Sequence, residues 1–175
     1  INLLWAFVGC AIGTAIGGPM AMRLVGAGHA LTVFDLDPQA TRALEDQGAT
    51  RAAAVADVAA ECTTVFLSLP GPKQIEQVMF GADGVLAHAR PGTIVVDLST
   101  NAIALNRQIA ERAATRGMHY LDAPVSGGEV GAKAASLTIM VGGSEAAFAR
   151  VQPLFALMGK NITHVGPVGA GQTTK

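Results

Sequence analysis

Short apolar runs alternate with helical segments along the chain, and this alternation constrains the fold more than any other feature of the sequence. Most of the runs stop at a glycine, a proline or an acid, as buried strands do. Strand–helix alternation of this kind produces a mostly parallel sheet with helices on both faces. We therefore predict one α/β domain with a doubly wound sheet. Its strands are expected at Leu3–Val8, Leu31–Asp35, Thr50–Ala52, Thr64–Leu69, Thr93–Asp97, Met118–Leu121, Leu137–Val141 and Ile162–Val165.

Helix start and stop signals lie between these runs. Asp37 and Pro38 are typical of an N-cap followed by proline, and Gly48 ends that segment. Pro19 is placed in a first helical turn, where proline is tolerated. Loops are expected at 122–128 and 166–171. The predicted helices are Met20–Ala27, Pro38–Gln47, Ala54–Glu61, Lys73–Phe80, Ala102–Arg116, Ser144–Met158 and the start of another at Gln172–Lys175.

The composition excludes several classes of function. Half of the residues are apolar, 14% are charged, and the formal net charge is −1, so no basic face for nucleic acid is predicted. The two cysteines, Cys10 and Cys62, form neither a disulfide framework nor a metal-binding spacing, and the histidines are scattered. No metal site is therefore predicted.

The first 22 residues carry no charge and suggest an alternative, a transmembrane helix. About 20 apolar residues are long enough to cross a bilayer. Gly9, Gly13 and Gly17 also have the four-residue spacing of packed transmembrane helices. A spanning helix would, however, remove the first strand from the predicted sheet. We therefore do not expect a membrane protein.

A glycine-rich turn follows the first predicted strand and points to a dinucleotide. Residues 13–18 read Gly-Thr-Ala-Ile-Gly-Gly, a G-x-A-x-x-G variant of the loop that admits a pyrophosphate to a helix N-terminus. Asp35 ends the second strand, about 20 residues further on, where a carboxylate accepts the adenosine ribose hydroxyls. A carboxylate there would repel a 2′-phosphate and favours NAD over NADP. The alternative for Asp35 is an exposed acid that caps the next turn. The predicted nucleotide contacts from these segments are Gly13, Thr14, Ile16, Gly17 and Asp35, in a Rossmann-like fold.

Several further segments together resemble one family, the β-hydroxyacid dehydrogenases, and within it the 3-hydroxyisobutyrate branch. The chain departs from the family pattern at Arg23, where asparagine is usual, and in a glycine loop that holds one extra residue. The segments that carry the resemblance are 18–21 (Gly-Pro-Met-Ala), 69–70 (Leu-Pro), 96–100 (Val-Asp-Leu-Ser-Thr), 122–128 (Asp-Ala-Pro-Val-Ser-Gly-Gly), 141–143 (Val-Gly-Gly) and 169–175 (Gly-Ala-Gly-Gln-Thr-Thr-Lys).

The resemblance implies roles for individual residues. Lys175 matches the catalytic lysine, which takes the hydroxyl proton during oxidation and returns it during reduction. The loop that holds the substrate carboxylate corresponds to Ser126, Gly127 and Gly128. The positions that line the nicotinamide half of the cofactor site correspond to Leu69, Pro70, Gln74 and Thr100.

The resemblance also implies an activity, the NAD-dependent interconversion of a small β-hydroxyacid and its semialdehyde, with 3-hydroxyisobutyrate as the expected substrate. Reduction of tartronate semialdehyde, glyoxylate or succinic semialdehyde is the alternative within the family, and a binding module without turnover is the alternative outside it. A 6-phosphogluconate substrate is not favoured, because no basic residues are placed for its phosphate.

The implied domain organisation is an NAD-binding domain at 1–171 and, at 172–175, the start of a helix that links to an all-helical C-terminal domain. That second domain would complete the site and form a homo-oligomer, so this chain by itself is expected to be inactive. The expected location is the cytoplasm, or the mitochondrial matrix in a eukaryote.

Overall fold

The computed structural model describes residues 5–9 and 14–175. Within them the chain forms a nine-stranded sheet flanked by helices. The strands are β1 (Trp5–Gly9), β2 (Leu31–Phe34), β3 (Thr50–Arg51), β4 (Thr64–Ser68), β5 (Ile94–Asp97), β6 (His119–Asp122), β7 (Val125–Ser126), β8 (Leu137–Gly142) and β9 (Gly159–Gly166). The helices are α1 (Thr14–Gly26), α2 (Pro38–Glu45), α3 (Val55–Glu61), α4 (Pro72–Phe80), α5 (Val85–His88), α6 (Ile103–Thr115), α7 (Gly128–Lys133), α8 (Glu145–Met158) and α9 (Ala170–Thr174).

The sheet has the order β3-β2-β1-β4-β5-β6-β8-β7, and β9 pairs with β8. The pairs from β3 to β6 are parallel, whereas β8 runs antiparallel to β6 and β7. Strand β1 lies between β2 and β4, so the strand order reverses at its carboxyl end. Ligands of open α/β sheets bind at such a reversal. The predicted doubly wound, mostly parallel α/β fold is confirmed.

Both faces of the sheet are buried, because successive strand residues point to opposite sides. On β5, Val95 belongs to one hydrophobic cluster, while Ile94 and Val96 belong to the other. On β4, likewise, Phe66 belongs to one hydrophobic cluster, whereas Val65 and Leu67 belong to the other. Helices therefore cover both faces, as predicted.

Helix α1 begins earlier than the sequence indicated. It starts at Thr14 instead of Met20, and Pro19 lies in its second turn instead of its first. The glycine-rich segment is helical because its apolar residues are held by tertiary contacts: Met20 is fully buried and Ile16 packs against the same cluster. Packing of an apolar face commonly overrides weak intrinsic propensity.

The prediction of a loop at 122–128 is also wrong in part. Residues Val125–Ser126 form β7, and helix α7 begins at Gly128. Helix α7 packs on α1, where an Arg23 guanidinium nitrogen donates to the carbonyl of Lys133. Its short sequence contains two glycines, so local signals do not favour a helix there.

The remaining differences include one missed turn and several shifted boundaries. The single helical turn α5 was not predicted, β9 is longer than expected, and α9 starts at Ala170 instead of Gln172. No helix in the described ranges combines the length and the apolar character that crossing a membrane requires.

Candidate functional site

The predicted site residues lie at the carboxyl ends of neighbouring strands. Asp35 follows β2, Leu69 and Pro70 follow β4, and Thr100 lies three residues beyond β5. Strands β1, β2, β4 and β5 are adjacent and parallel, so their carboxyl ends meet at one edge of the sheet. The site is therefore built from loops held by a rigid sheet.

Asp35 is buried, with 5% of its surface exposed. Its Oδ1 accepts the backbone N–H of Asp37 at 2.9 Å, so the carboxylate stabilises the turn that leads into α2. Burial raises the pKa of Asp35, and the hydrogen bond from Asp37 opposes that rise. Asp35 thus caps the turn that follows it and is buried, not exposed.

A pocket of about 410 Å³ lies beside Asp35. Phe34 and Leu36, its two neighbours in sequence, contribute to the wall, and Leu36 is 76% exposed. Leu69 and Gln74, which the resemblance assigned to the nicotinamide half, line this same pocket together with the neighbours of Asp35. The lining residues are Phe34, Leu36, Ala53, Ala54, Val55, Leu69, Gln74, Gln77, Val78, Gly81, Ala82, Asp83 and Gly84.

The glycine-rich turn is described only in part. Gly13 lies outside the described residues, and Thr14 is the first residue of α1. Gly17 is buried, and Ile16 packs against the core. The backbone N–H groups in the first turn of a helix have no partner within that helix, and helix starts of this kind are common anion sites.

The loop after β5 is held by a fully buried carboxylate, Asp97. Its Oδ1 accepts the backbone N–H of Ser99 at 3.0 Å, and its Oδ2 accepts from the Asn101 amide at 3.2 Å and lies 2.9 Å from the Tyr120 hydroxyl. That hydroxyl also lies 2.9 Å from Oδ1 of Asn106. Burial raises the pKa of Asp97 to about 6, although these hydrogen bonds oppose the rise.

Ser99 joins two of the loops at the sheet edge. Its hydroxyl oxygen accepts the backbone N–H of Leu69 at 2.9 Å, and both residues are buried. Because Asp97 in turn holds the N–H of Ser99, the segments after β4 and β5 form one rigid unit. Thr100, an exposed residue, follows directly.

A second buried carboxylate, Asp122 at the end of β6, holds the start of α9. Its Oδ1 accepts the N–H of Gly169 at 2.7 Å, and its Oδ2 accepts the N–H of Gln172 at 2.9 Å. Burial raises the pKa of Asp122, and the N–H donors from Gly169 and Gln172 oppose that rise. Asp97 and Asp122 are register partners on β5 and β6, so the two carboxylates come from neighbouring positions.

Helix α9 connects these two units. The side-chain amide of Gln172 donates to the carbonyl of Ser99 at 2.8 Å. Nζ of Lys175 donates to Oγ1 of Thr100 at 2.9 Å, and both side chains are exposed. The structure thus brings together two residues that the resemblance assigned to the catalytic and nicotinamide positions.

The turn assigned to the substrate carboxylate is separate from this contact. Ser126, Gly127 and Gly128 are exposed and lead into α7. Gly127 and Gly128 have φ of +128° and +58°, a region that favours glycine. Among the described residues, no hydrogen bond joins this turn to Lys175 or Thr100.

Sequence reasoning did not identify the roles of Asp97, Asp122, Ser99 and Gln172. The available signal was the position of an acid directly after each of two neighbouring apolar strands. In the part of the chain that the structure describes, no cluster of histidine, cysteine or acidic residues could hold a metal ion.

Comparison with known proteins extends these observations. Residues 6–166 match the family model described as the NAD binding domain of 6-phosphogluconate dehydrogenase. The chain is 45% identical over 160 residues to an NAD-dependent L-serine dehydrogenase of Pseudomonas aeruginosa, and 43% identical over 160 residues to a 3-hydroxyisobutyrate dehydrogenase of the same organism. Each alignment covers 91% of this chain and 54% of the relative, so the chain spans about half the length of the curated relatives it matches.

Solved structures agree with the sequence relatives. A structure of 3-hydroxyisobutyrate dehydrogenase from Mycobacterium tuberculosis with L-serine superimposes with a TM-score of 0.90 at 37% identity. The match covers 99% of this chain and 58% of that protein. The fold, the family model and the relatives together confirm the predicted resemblance and the NAD-binding Rossmann-like domain. The chain therefore belongs to the β-hydroxyacid dehydrogenases, and it carries the NAD-binding domain of that family.

Proposed function

We propose that this chain forms the cofactor-binding half of an NAD-dependent dehydrogenase that oxidises a small β-hydroxyacid to its semialdehyde, with Lys175 as the general acid and base. The observation that carries the proposal is the hydrogen bond of 2.9 Å between Lys175 Nζ and Thr100 Oγ1. This bond holds the amine of Lys175 near the carboxyl ends of the parallel strands, where dinucleotides bind in this fold, and so supports the proposed role.

The described residues fit an adenine dinucleotide. The pocket beside Asp35 is mainly apolar and suits a flat base, while the buried carboxylate of Asp35 suits the adjacent ribose hydroxyls. The N-terminus of α1 would offer N–H groups to the pyrophosphate. Leu69 and Gln74 would line the base pocket, whereas Pro70 and Thr100, both exposed, would face the nicotinamide end.

In this proposal Lys175 moves the proton of the substrate hydroxyl. During oxidation, neutral Nζ accepts that proton while the substrate carbon gives up its hydride. Bound NAD supplies the hydride acceptor. In the reverse direction the ammonium group of Lys175 stabilises the alkoxide and then donates the proton to it. Thr100 orients Nζ through its hydroxyl oxygen in both directions.

In this proposal the exposed turn at 126–128 receives the substrate carboxylate. A serine hydroxyl and consecutive glycine N–H groups allow an anion to approach the backbone closely. Because this turn and Lys175 are exposed, we propose that the all-helical domain implied by the resemblance covers both and excludes water. The same domain would form the homo-oligomer.

The relatives suggest 3-hydroxyisobutyrate or L-serine as substrate, since these compounds name the proteins to which the chain is similar. Both carry a primary hydroxyl on the carbon β to a carboxylate, so one site geometry serves both. A binding module without turnover is the second candidate, and the exposure of Lys175 favours it for this chain in isolation.

The test is a turnover assay on the full-length protein that contains this chain. An NADH titration of the chain itself accompanies it. NADH formation from NAD with 3-hydroxyisobutyrate or L-serine would support the enzyme. Binding of NADH by a complete protein that turns over none of the β-hydroxyacids would favour the module. Absence of NADH binding would contradict both.

A further inference from the structure

We propose that Asp122 is a positioning residue that sets the place of Lys175, acting through helix α9 and without touching the substrate. The inference rests on the proposed function of Lys175 and deepens it. Asp122 is fully buried and both of its carboxylate oxygens are engaged by backbone N–H groups, so it cannot itself exchange a proton with a substrate.

The two hydrogen bonds to Asp122 anchor the first turn of α9. Gly169 is the N-cap of this helix and Gln172 is its third residue, and each donates its N–H to a different oxygen of the one carboxylate. N–H groups at a helix start have no partner within the helix, and a negative charge there is favourable. The carboxylate therefore fixes both the position and the direction of the helix start.

Two glycines leave the carboxylate no room to move. A Cβ added at Gly142 would fall on Oδ1 of Asp122, and a Cβ added at Gly171 would lie 2.9 Å from Oδ2. Gly142 is also the register partner of Asp122 on β8. The side chain is thus enclosed by backbone from β8 and α9.

Lys175 lies one turn beyond this anchor. Its own N–H donates to the carbonyl of Gly171 at 3.1 Å, so its backbone is held at the end of the same short helix. The link from Gln172 to Ser99 sets the rotation of the helix against the loop that carries Thr100. A shift of the helix start would be passed directly to the Lys175–Thr100 contact.

The experiment compares kinetics of the complete protein with Asp122→Asn, Lys175→Ala and the control Glu111→Gln, which neutralises an exposed acid on α6. An asparagine can accept only one of the two N–H groups, because its amide nitrogen opposes the other. We expect kcat to fall about a hundredfold for Asp122→Asn, which is the effect of misplacing a reacting group by about 1 Å. The affinity for NADH should not change, and the pH profile of kcat should be displaced. Glu111→Gln should match the unaltered protein.

The outcomes separate this inference from the proposed function. Loss of turnover in Lys175→Ala, with an unaltered kcat and pH profile in Asp122→Asn, would overturn the positioning role alone. Unaltered turnover in Lys175→Ala would overturn the proposed role of Lys175, and the inference with it. A fall in NADH affinity equal to the fall in kcat would reveal a general structural role and would also overturn the inference.

If Asp122→Asn does not fold, the unaltered chain decides the question by NMR. The backbone amide signals of Gly169, Gln172 and Lys175 should shift with one common midpoint as Asp122 is titrated. Shifts of Gly169 and Gln172 without any shift of Lys175 would overturn the proposal.

Discussion

Lys175 and Thr100 are 75 positions apart in the sequence, yet Nζ of the lysine donates a hydrogen bond of 2.9 Å to Oγ1 of the threonine. The contact exists because two buried carboxylates on neighbouring strands each hold one of the segments: Asp97 holds the loop of Thr100, and Asp122 holds the helix of Lys175. An exposed pair is thus positioned by buried polar groups that satisfy their hydrogen bonds internally.

Replacement of Thr100 by valine should lower turnover in the complete protein. Valine has nearly the same shape but lacks the oxygen that accepts from Lys175. We expect kcat to fall about tenfold, the effect of one hydrogen bond to a charged group, with little change in Tm because the site is exposed. Thr100→Ser keeps the oxygen and should retain activity. Equal activities of the valine and serine variants would contradict the orienting role of Thr100.

Replacement of Asp35 by asparagine should weaken NADH binding and reduce discrimination against NADPH. The carboxylate is proposed to accept ribose hydroxyls and to repel a 2′-phosphate, whereas asparagine can still accept the N–H of Asp37 and keep the turn. Fluorescence titrations of the chain with NADH and NADPH measure the ratio of the two affinities. Asp37→Asn removes a charge two residues away while it keeps an N-cap, and it serves as the control. A ratio that changes equally in both variants would show that nearby charge, not the position of Asp35, sets the preference.

The stability of the chain should depend on pH through Asp97. Its pKa rises from 3.8 to about 6 on folding, so the folded state binds the proton more tightly than the unfolded state. Stability from this group is therefore present below pH 3.8 and is lost as pH rises to about 6, by about 3 kcal/mol in total.

Urea unfolding of the unaltered chain and of Asp97→Asn from pH 4 to 7.5 tests this dependence. Asp35 and Asp122 also have raised pKa values, so the comparison of the two proteins isolates the contribution of Asp97. As pH rises from 4 to about 6, the unaltered chain should lose free energy of unfolding relative to Asp97→Asn. Parallel curves would mean that Asp97 does not titrate as described.

Replacement of Ser99 by alanine should destabilise the fold. It removes the acceptor for the buried N–H of Leu69, and an unpaired buried N–H costs about 1–3 kcal/mol. Thermal unfolding should show a lower Tm than the unaltered chain, while Ser126→Ala, at an exposed position, should not change it. If the two substitutions have equal effects on Tm, the link between the loops after β4 and β5 contributes nothing to stability.

Much of the fold could be predicted because its signals are local. The runs that became β4 and β5 are short, apolar and bounded by turn residues, and Asp37 and Pro38 begin α2 as expected. Helix α7 was not predicted, because contacts with other elements, not local sequence signals, stabilise it. Gly131 and Ala132 are buried against neighbouring elements, and only those contacts make the glycine-containing segment helical.

The residues of the candidate site could likewise be predicted only in part. Asp35 could be placed at a strand end from its spacing to the glycine-rich turn, and Lys175 came from a family resemblance. The burial of Asp97 could not be foreseen, because its partner Tyr120 comes from β6 and that hydroxyl also contacts Asn106 of α6. An acid after an apolar run is ordinarily exposed, and only the assembled structure shows which acids are enclosed.

The most direct test of the account is the kinetics of Lys175→Ala in the complete protein, measured together with its affinity for NADH. We predict a loss of turnover of about 10²–10⁴-fold with the NADH affinity retained, because the lysine transfers a proton and does not hold the cofactor. Lys175→Arg should be similarly impaired, since a guanidinium group does not give up its proton at neutral pH. Turnover by Lys175→Ala equal to that of the unaltered protein would contradict the account.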